Sequence, residues 1–391
     1  MKTMLSERVL NINPSMTLVI SAKAKEMKAS GIPVLDFSAG EPDFDTPPAI
    51  KQAAIRAMEA GFTKYTATGG IAELKEAIIA KYKAELSLAY TPDEIIVSNG
   101  GKHALHNLMQ VLLNPDDECI IPSPFWLSYP EMVKLSGGTP VIVTTRLEDD
   151  YKLRIESLRR AITPRSKILI LNSPSNPTGA VYTREELEAI IEVIQDTGIL
   201  VISDDVYEKF VFDGRPFVNV LSVAPRLRDR VFIVNSASKT YSMPGWRMGF
   251  AVGPAEVIKG AGRVQGQATS SPNSISQKAY AFALRSDPAV VEEFRKSFET
   301  RRNLIYEGMS AIKGVRAFKP QGAFYLFVDV SELYPRVPGV KGSVDFCKYL
   351  LEKQRIACIP GAAFGEDRCI RFSFVTDEAS IREAVARFKK I

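Results

Sequence analysis

Short apolar runs punctuate the middle of this chain and alternate with helical patterns. They are "EIIVS" from Glu94, "ECIIP" from Glu118, "TPVIV" from Thr139, "KILILN" from Lys167, "ILVIS" from Ile199 and "VFIVN" from Val231. A strand with one wet face alternates apolar and polar residues, because successive side chains point to opposite sides of the sheet. Several of these runs do not alternate, which is the pattern of strands buried on both faces of a parallel sheet. Between and before them lie amphipathic stretches such as "PPAIKQAAIRAMEAG", "IAELKEAIIAKYKAEL" and "TREELEAIIEVIQDTG". The last has Thr183 as its expected N-cap and Gly198 at its expected end. The pattern predicts an α/β fold, a mostly parallel sheet flanked by helices.

At 391 residues the chain exceeds what a single core usually supports. After about residue 285 the character changes. A long helix from about Pro288 to Met309 is followed by strand signals at "GAFYLFVDV" and "CIRFSFV" and a final helix from about Asp377. These features predict a large domain over 48–284 and a smaller α+β domain made of 1–47 and 285–391, with "VLDFSAGEPDF" joining the latter.

Charge and composition exclude several classes. The net charge of +5 is spread over 50 basic and 45 acidic residues without a long basic run, which argues against nucleic acid as a partner. Cys119, Cys347, Cys358 and Cys369 have no CxxC spacing, so reduced core thiols are expected. His103 and His106 share a helical face, but nothing completes a ligand set, and no metal is expected. No apolar stretch reaches a membrane span and the N-terminus lacks the apolar core of a signal peptide, so the expected location is cytoplasmic.

Ligands of α/β sheets gather at the carboxyl ends of the strands. There, "EIIVS" runs into "NGGK", Asn99 to Lys102, whose glycines open a helix. That is either an anion-binding N-terminus or an ordinary turn. "ECIIP" leads to Trp126, a core residue or a ring that stacks on a planar ligand. "KILILN" continues into "SPSNPTG", where Asn176-Pro177 is a candidate cis turn. "ILVIS" ends in Asp204 with Tyr207 beyond it, and a carboxylate there needs a cationic partner, whether from the protein or from a ligand. "VFIVN" ends in "SASKTYSMPGWR", which sets Lys239 between Ser236 and Arg247.

An anion cradle, a stacking ring, an amide, a carboxylate and an amine together match a planar phosphorylated aldehyde with a ring nitrogen. Pyridoxal 5′-phosphate fits each feature. Lys239 would condense with the aldehyde, Asp204 would keep the ring nitrogen protonated, and Ser236 and Arg247 would clamp the phosphate.

At this point the chain resembles the class I aminotransferases of fold type I, which depend on pyridoxal phosphate. It is most similar to the aspartate aminotransferase branch called subgroup Iγ. The resemblance covers nearly the whole chain and rests on "AGEPDFDTP", "KYTATGGIAELK", "NSPSNPTGAVY", "SDDVYE" and "SASKTYSMPGWRMGF", in the family's order. It implies that Gly101 and Lys102 give backbone N–H groups to the phosphate, that Trp126 stacks on the ring, and that Asn176 and Tyr207 bond its phenolic oxygen. It implies that Arg371 clamps the substrate α-carboxylate beside Gly40. Tyr65 would reach the phosphate of a neighbouring subunit, making the active unit a homodimer. The implied reaction is ping-pong transfer of an amino group between an amino acid, aspartate or glutamate, and a 2-oxo acid, 2-oxoglutarate or oxaloacetate. Aromatic amino-acid transfer and other pyridoxal phosphate chemistry on this fold are the alternatives. A ligand-sensing regulator is a third class, weakened because no helix-turn-helix pattern precedes the first motif. Two departures stand out. Asp205 replaces a frequent glutamate, and Asn13 stands where many relatives that use dicarboxylates or prephenate carry lysine. The N-terminal segment is expected to close over the site, offering Asn13, Ser15 and Thr17 but no cation between Val9 and Thr17.

Overall fold

The computed structural model describes residues 4–391, so residues 1–3 of the expected small domain lie outside the described residues. Seven strands form the principal sheet: β1 (Ile95–Ser98), β2 (Glu118–Ser123), β3 (Thr139–Thr144), β4 (Ser166–Asn172), β5 (Leu200–Asp204), β6 (Val231–Ser236) and β7 (Gly249–Val252). Their spatial order is β1-β7-β6-β5-β4-β2-β3. Neighbours from β6 through β3 are parallel, while β7 runs antiparallel to both β6 and β1. Strand β7 was not anticipated from the sequence. Its four residues, Gly-Phe-Ala-Val, are brief and directly follow the Lys239–Arg247 cluster.

The missing alternation has a direct physical cause. In β6, Val231 and Ile233 enter one core while Phe232 and Val234 enter another on the opposite face. Helices cover both faces. Helix α2 (Gly101–Leu112), α3 (Ser128–Leu135) and the Ala255–Ala268 helix supply one core with Leu105, Leu108, Met132, Val133 and Ile258. The Ala72–Leu86, Arg184–Ile194 and Ser274–Leu284 helices close the other with Leu74, Ile78, Leu187, Ile191 and Tyr280. Each fully buried aliphatic side chain contributes about 1.5–3 kcal/mol. Thr183 caps the Arg184–Ile194 helix in a reciprocal box with Glu186. The helix stops at Ile194, however, and Gly198 lies in the following connection rather than at its end. With φ outside the left-handed range, Gly198 is not a terminating glycine.

A third core surrounds a four-stranded antiparallel sheet that includes Tyr325–Asp329 and Cys369–Ser373, packed with the Ala289–Ser310 and Glu378–Phe388 helices. The N-terminal chain meets this region. Leu35–Asp36 pairs in parallel with Ile356–Ala357, and the preceding helix α1 (Met16–Ala29) packs against Ile356–Ala357 and Ile359–Pro360. All four cysteines are unbonded and buried. Among the described residues, no helix is long and apolar enough to cross a membrane.

Candidate active site

The carboxyl ends of β1, β2, β4, β5 and β6 open on one cavity of about 340 Å3. Gly40, Gly101, Lys102, Trp126, Asn176, Asp204, Tyr207, Ser236, Lys239, Arg247 and Arg371 all line it. Tyr65 does not, and stands 92% exposed. Four cations and a single carboxylate therefore share one concavity, and none of the four has an ion-pair partner among the described residues. Two larger cavities, of about 710 and 590 Å3, share Glu85, Glu208 and Lys209. There Glu208 and Glu85 are met by Lys81 and Lys209. The smaller cavity instead gathers four cations around one carboxylate.

Close backbone approach builds one end. Gly100 and Gly101 turn β1 into α2, whose first N–H groups have no acceptor within the helix. A Cβ on Gly249 of β7 would lie 2.3 Å from the Gly101 nitrogen, so only glycine lets β7 pass this turn. Gly100 has φ +89, and a Cβ there would meet the Arg247 guanidinium at 2.4 Å. Arg247 donates to the carbonyls of Asn99 (3.1 Å) and Pro244 (3.0 Å). An N-terminal helix turn, an arginine and the Ser236 side of β6 thus form a cradle shaped for an anion.

Lys239 sits on a single helical turn, Ala237–Thr240, directly after β6. Its ammonium donates to the Gly40 carbonyl. Burial lowers its pKa to about 8. Glu41 opposes that shift, while Arg247, Arg371 and Lys102 reinforce it. Asp204 ends β5 and is 5% exposed. Its Oδ2 accepts from the Tyr129 hydroxyl at 2.6 Å, and its backbone carbonyl accepts from Asn172 Nδ2 at 2.9 Å. Burial pushes the Asp204 carboxyl up to about 6, against the pull of the Tyr129 bond, the Val206 N–H and the Lys239 charge. Asp204 makes no ion pair within the protein among the described residues. Asp205 instead points into the core, toward Ser203 and Asn219.

The opposite end holds Arg371, 2% exposed, on the Cys369–Ser373 strand. Its guanidinium donates to Asn176 Oδ1 and to the Ser38 carbonyl, both at 3.0 Å. The guanidinium carbon lies 4.5 Å from the centre of the Tyr325 ring and 5.0 Å from that of Phe364. Its Nε has no partner. A buried cation held only by neutral groups is costly, and an anionic ligand relieves that cost. Asn176-Pro177 is cis. Tyr207 shares a 2.7 Å hydroxyl contact with Tyr325.

Three side chains of the site were not read from the sequence. Tyr129 follows Trp126 by three residues and meets it edge-on at 5.3 Å, a helical spacing that was available as a signal. Asn172 is the last residue of "KILILN", directly at a strand end. Tyr325 gave no signal, because its strand is buried at every position. Ser15, Thr17 and Leu18 do line the cavity, and the Thr17 hydroxyl is buried without a partner. Asn13 does not line it. Its amide is turned to Glu131, which corrects the expectation that it faces a substrate.

Residues 32–388 match the model of the family described as aminotransferase class I and II. The aspartate aminotransferase of Bacillus sp. (strain YM-2) is 46% identical over 390 residues, covering 100% of this chain and 99% of that protein. The crystal structure of the Rhizobium meliloti aspartate aminotransferase superposes with a TM-score of 0.95 at 43% identity, covering 99% of this chain and 98% of that one. The Thermus thermophilus aspartate aminotransferase, solved with maleate, gives a TM-score of 0.93 at 43% identity and full coverage of both chains. The chain belongs to the class I and II aminotransferases, and it is an enzyme that transfers amino groups.

Proposed function

We propose that this aminotransferase holds pyridoxal 5′-phosphate in the 340 Å3 cavity and exchanges amino groups between aspartate or glutamate and a 2-oxo acid, by alternating half-reactions. The observation that carries the reading is the excess of four unpaired cations over one carboxylate in a single cavity. A phosphate and one or two substrate carboxylates complete that charge balance.

The residues fit the cofactor. The Gly101 and Lys102 N–H groups, Ser236 and Arg247 would hold its phosphate, at the turn where a Cβ on Gly100 would meet the Arg247 guanidinium. Trp126 would cover the ring, and Asn176 and Tyr207 would bond its phenolic oxygen. Asp204, buried and without a cation of its own, would pair with the ring nitrogen. When bound, pyridoxal phosphate supplies an aldehyde that accepts amines and a ring that withdraws electrons from the substrate Cα. Lys239 would hold the aldehyde carbon through its amine and, when free, would be placed to move the proton at the substrate Cα. A pKa near 8 lets the same amine act as base and then as acid at neutral pH. Arg371 and Gly40 would seat the α-carboxylate, the guanidinium fork suiting bidentate binding.

The second carboxylate needs a cation that the N-terminal segment lacks. Lys102 meets that need: its ammonium lines the cavity 4.9 Å from the centre of the Trp126 ring, and burial lowers its pKa. The maleate bound by the Thermus relative is likewise a dicarboxylate. We further place Tyr65 at the phosphate of a second subunit, so that the working unit is a homodimer, with 48–284 as cofactor domain and 1–47 plus 285–391 as the smaller one. The test is a panel of amino donors against 2-oxoglutarate. Aspartate is expected to show the highest kcat/KM, and a higher value for phenylalanine or tyrosine refutes the dicarboxylate assignment in favour of the aromatic one.

A further inference from the structure

The segment 11–18 forms one wall of the cavity through Ser15, Thr17 and Leu18, and it is held from two sides. Toward the C-terminal region, α1 packs on Ile356–Ala357 and Ile359–Pro360, and Ser21 Oγ lies 2.8 Å from Ser38 Oγ. Toward the principal sheet there is one polar attachment. Glu131 of α3 receives the Asn13 backbone N–H on Oε2 at 3.0 Å and Asn13 Nδ2 on Oε1 at 3.1 Å. Among the described residues, segment 11–18 makes no other side-chain hydrogen bond. Lys134, one helical turn on, holds the same Glu131 oxygen at 3.1 Å. Helix α3 is also the helix that presents Tyr129 to Asp204, so this attachment ties the wall to the element behind the reacting centre.

We propose that Asn13 and Glu131 form a latch that keeps the N-terminal segment closed as a wall of the substrate cavity, so that residue 13 sets how readily small molecules are held and exchanged rather than which substrate is preferred. The inference rests on the reading of that cavity as the substrate site. Its chemistry is simple: Glu131 presents two acceptor oxygens, and Asn13 supplies two neutral donors to them. An aspartate at position 13 places like charges face to face and opens the latch. A lysine there pairs with Glu131 and is consumed by it, so it does not reach a substrate carboxylate. Opening the latch weakens every ligand that contacts Ser15, Thr17 or Leu18 by a similar factor, because the wall itself is displaced.

The experiment compares holoenzymes carrying Asn13→Asp, Asn13→Lys, and Asn13→Lys combined with Glu131→Gln. Residue 13 is exposed, so these changes leave the fold intact. The readouts are thermolysin cleavage within residues 9–20, with and without succinate as an unreactive dicarboxylate, and steady-state kinetics with aspartate and phenylalanine. Asn13→Asp is expected to speed cleavage and to raise KM for both donors by about threefold to tenfold, the range for partly exposed bonds to a charged group. Asn13→Lys is expected to slow cleavage while leaving the aspartate-to-phenylalanine ratio of kcat/KM within about twofold, and Glu131→Gln is expected to abolish that slowing. A several-fold rise in aspartate preference with Asn13→Lys overturns the inference, as does a cleavage rate indifferent to all three variants. Absence of transamination by the wild-type chain refutes the substrate reading instead, and the cleavage rates still decide the latch.

Discussion

Replacing Asp204 by asparagine separates what the carboxylate costs the fold from what it does for the reaction. In the protein without cofactor, burial raises this carboxyl from 3.8 to about 6. At about 1.4 kcal/mol per pKa unit, the ionised side chain destabilises the folded state by roughly 3 kcal/mol. The sign follows from the direction of the shift. A raised folded pKa means the penalty is absent below about pH 3, where folded and unfolded chains are both protonated. It grows as pH rises and is complete above about pH 7. The amide of the variant carries no charge and escapes it. For 391 residues the unfolding entropy is roughly 0.8 kcal/mol per kelvin, so cofactor-free Asp204→Asn is expected to melt about 4 °C higher than wild type at pH 7.5. At about pH 3 the two should coincide. The assay is thermal unfolding of both apoproteins across that pH range. The same variant should bind pyridoxal phosphate yet complete a single turnover with one amino acid far more slowly, since a neutral amide does not keep the ring nitrogen protonated. An Asp204→Asn apoprotein less stable than wild type at pH 7.5 refutes the account of Asp204 as a carboxylate awaiting a cationic ligand. Near wild-type single-turnover rates refute its role in the reaction.

Borohydride reduction of the holoenzyme should trap the cofactor on Lys239 and on no other lysine, as read by peptide mass spectrometry. Cofactor capture by the apoenzyme should accelerate as pH rises through about 8, because only the neutral amine attacks an aldehyde; Lys239→Ala should retain cofactor in the cradle but lose turnover. Mixing Tyr65→Phe with Lys239→Ala should restore activity above either parent, since a hybrid dimer has one site with both native residues. No gain on mixing would place Tyr65 and Lys239 in the same subunit's site or remove Tyr65 from it altogether. Lys102→Ala should lower kcat/KM for aspartate more than for phenylalanine, by at least about tenfold in the ratio if the ammonium meets the second carboxylate, the scale of a charge-assisted bond; an unchanged ratio excludes that contact.

By itself, the sequence determined the layered α/β character and the chemistry waiting at its strand ends. Unalternating runs such as "VFIVN" exclude a sheet with one wet face. Residue order alone puts Asn99–Lys102, Asn176, Asp204 and the Ser236–Arg247 cluster at or shortly beyond strand ends. Periodicity along the chain is a local property, and so is the position of a polar residue at the end of an apolar run. Tertiary structure decided the rest, because pairings between distant segments leave no local trace. Strand β7 inserts antiparallel between β1 and β6, and glycine at 249 is required there only because α2 begins against it. Arg371 reads from its strand alone as an ion pair until its guanidinium is found between Tyr325 and Phe364, bonded to Asn176 and to the Ser38 carbonyl. Tyr129 is an aromatic helix residue until its hydroxyl meets Asp204, 75 positions away. Asn13 is the sharpest case. Its sequence position suggested a substrate contact, but an amide bonds to whichever acceptor the fold brings within about 3 Å, and α3 brings Glu131.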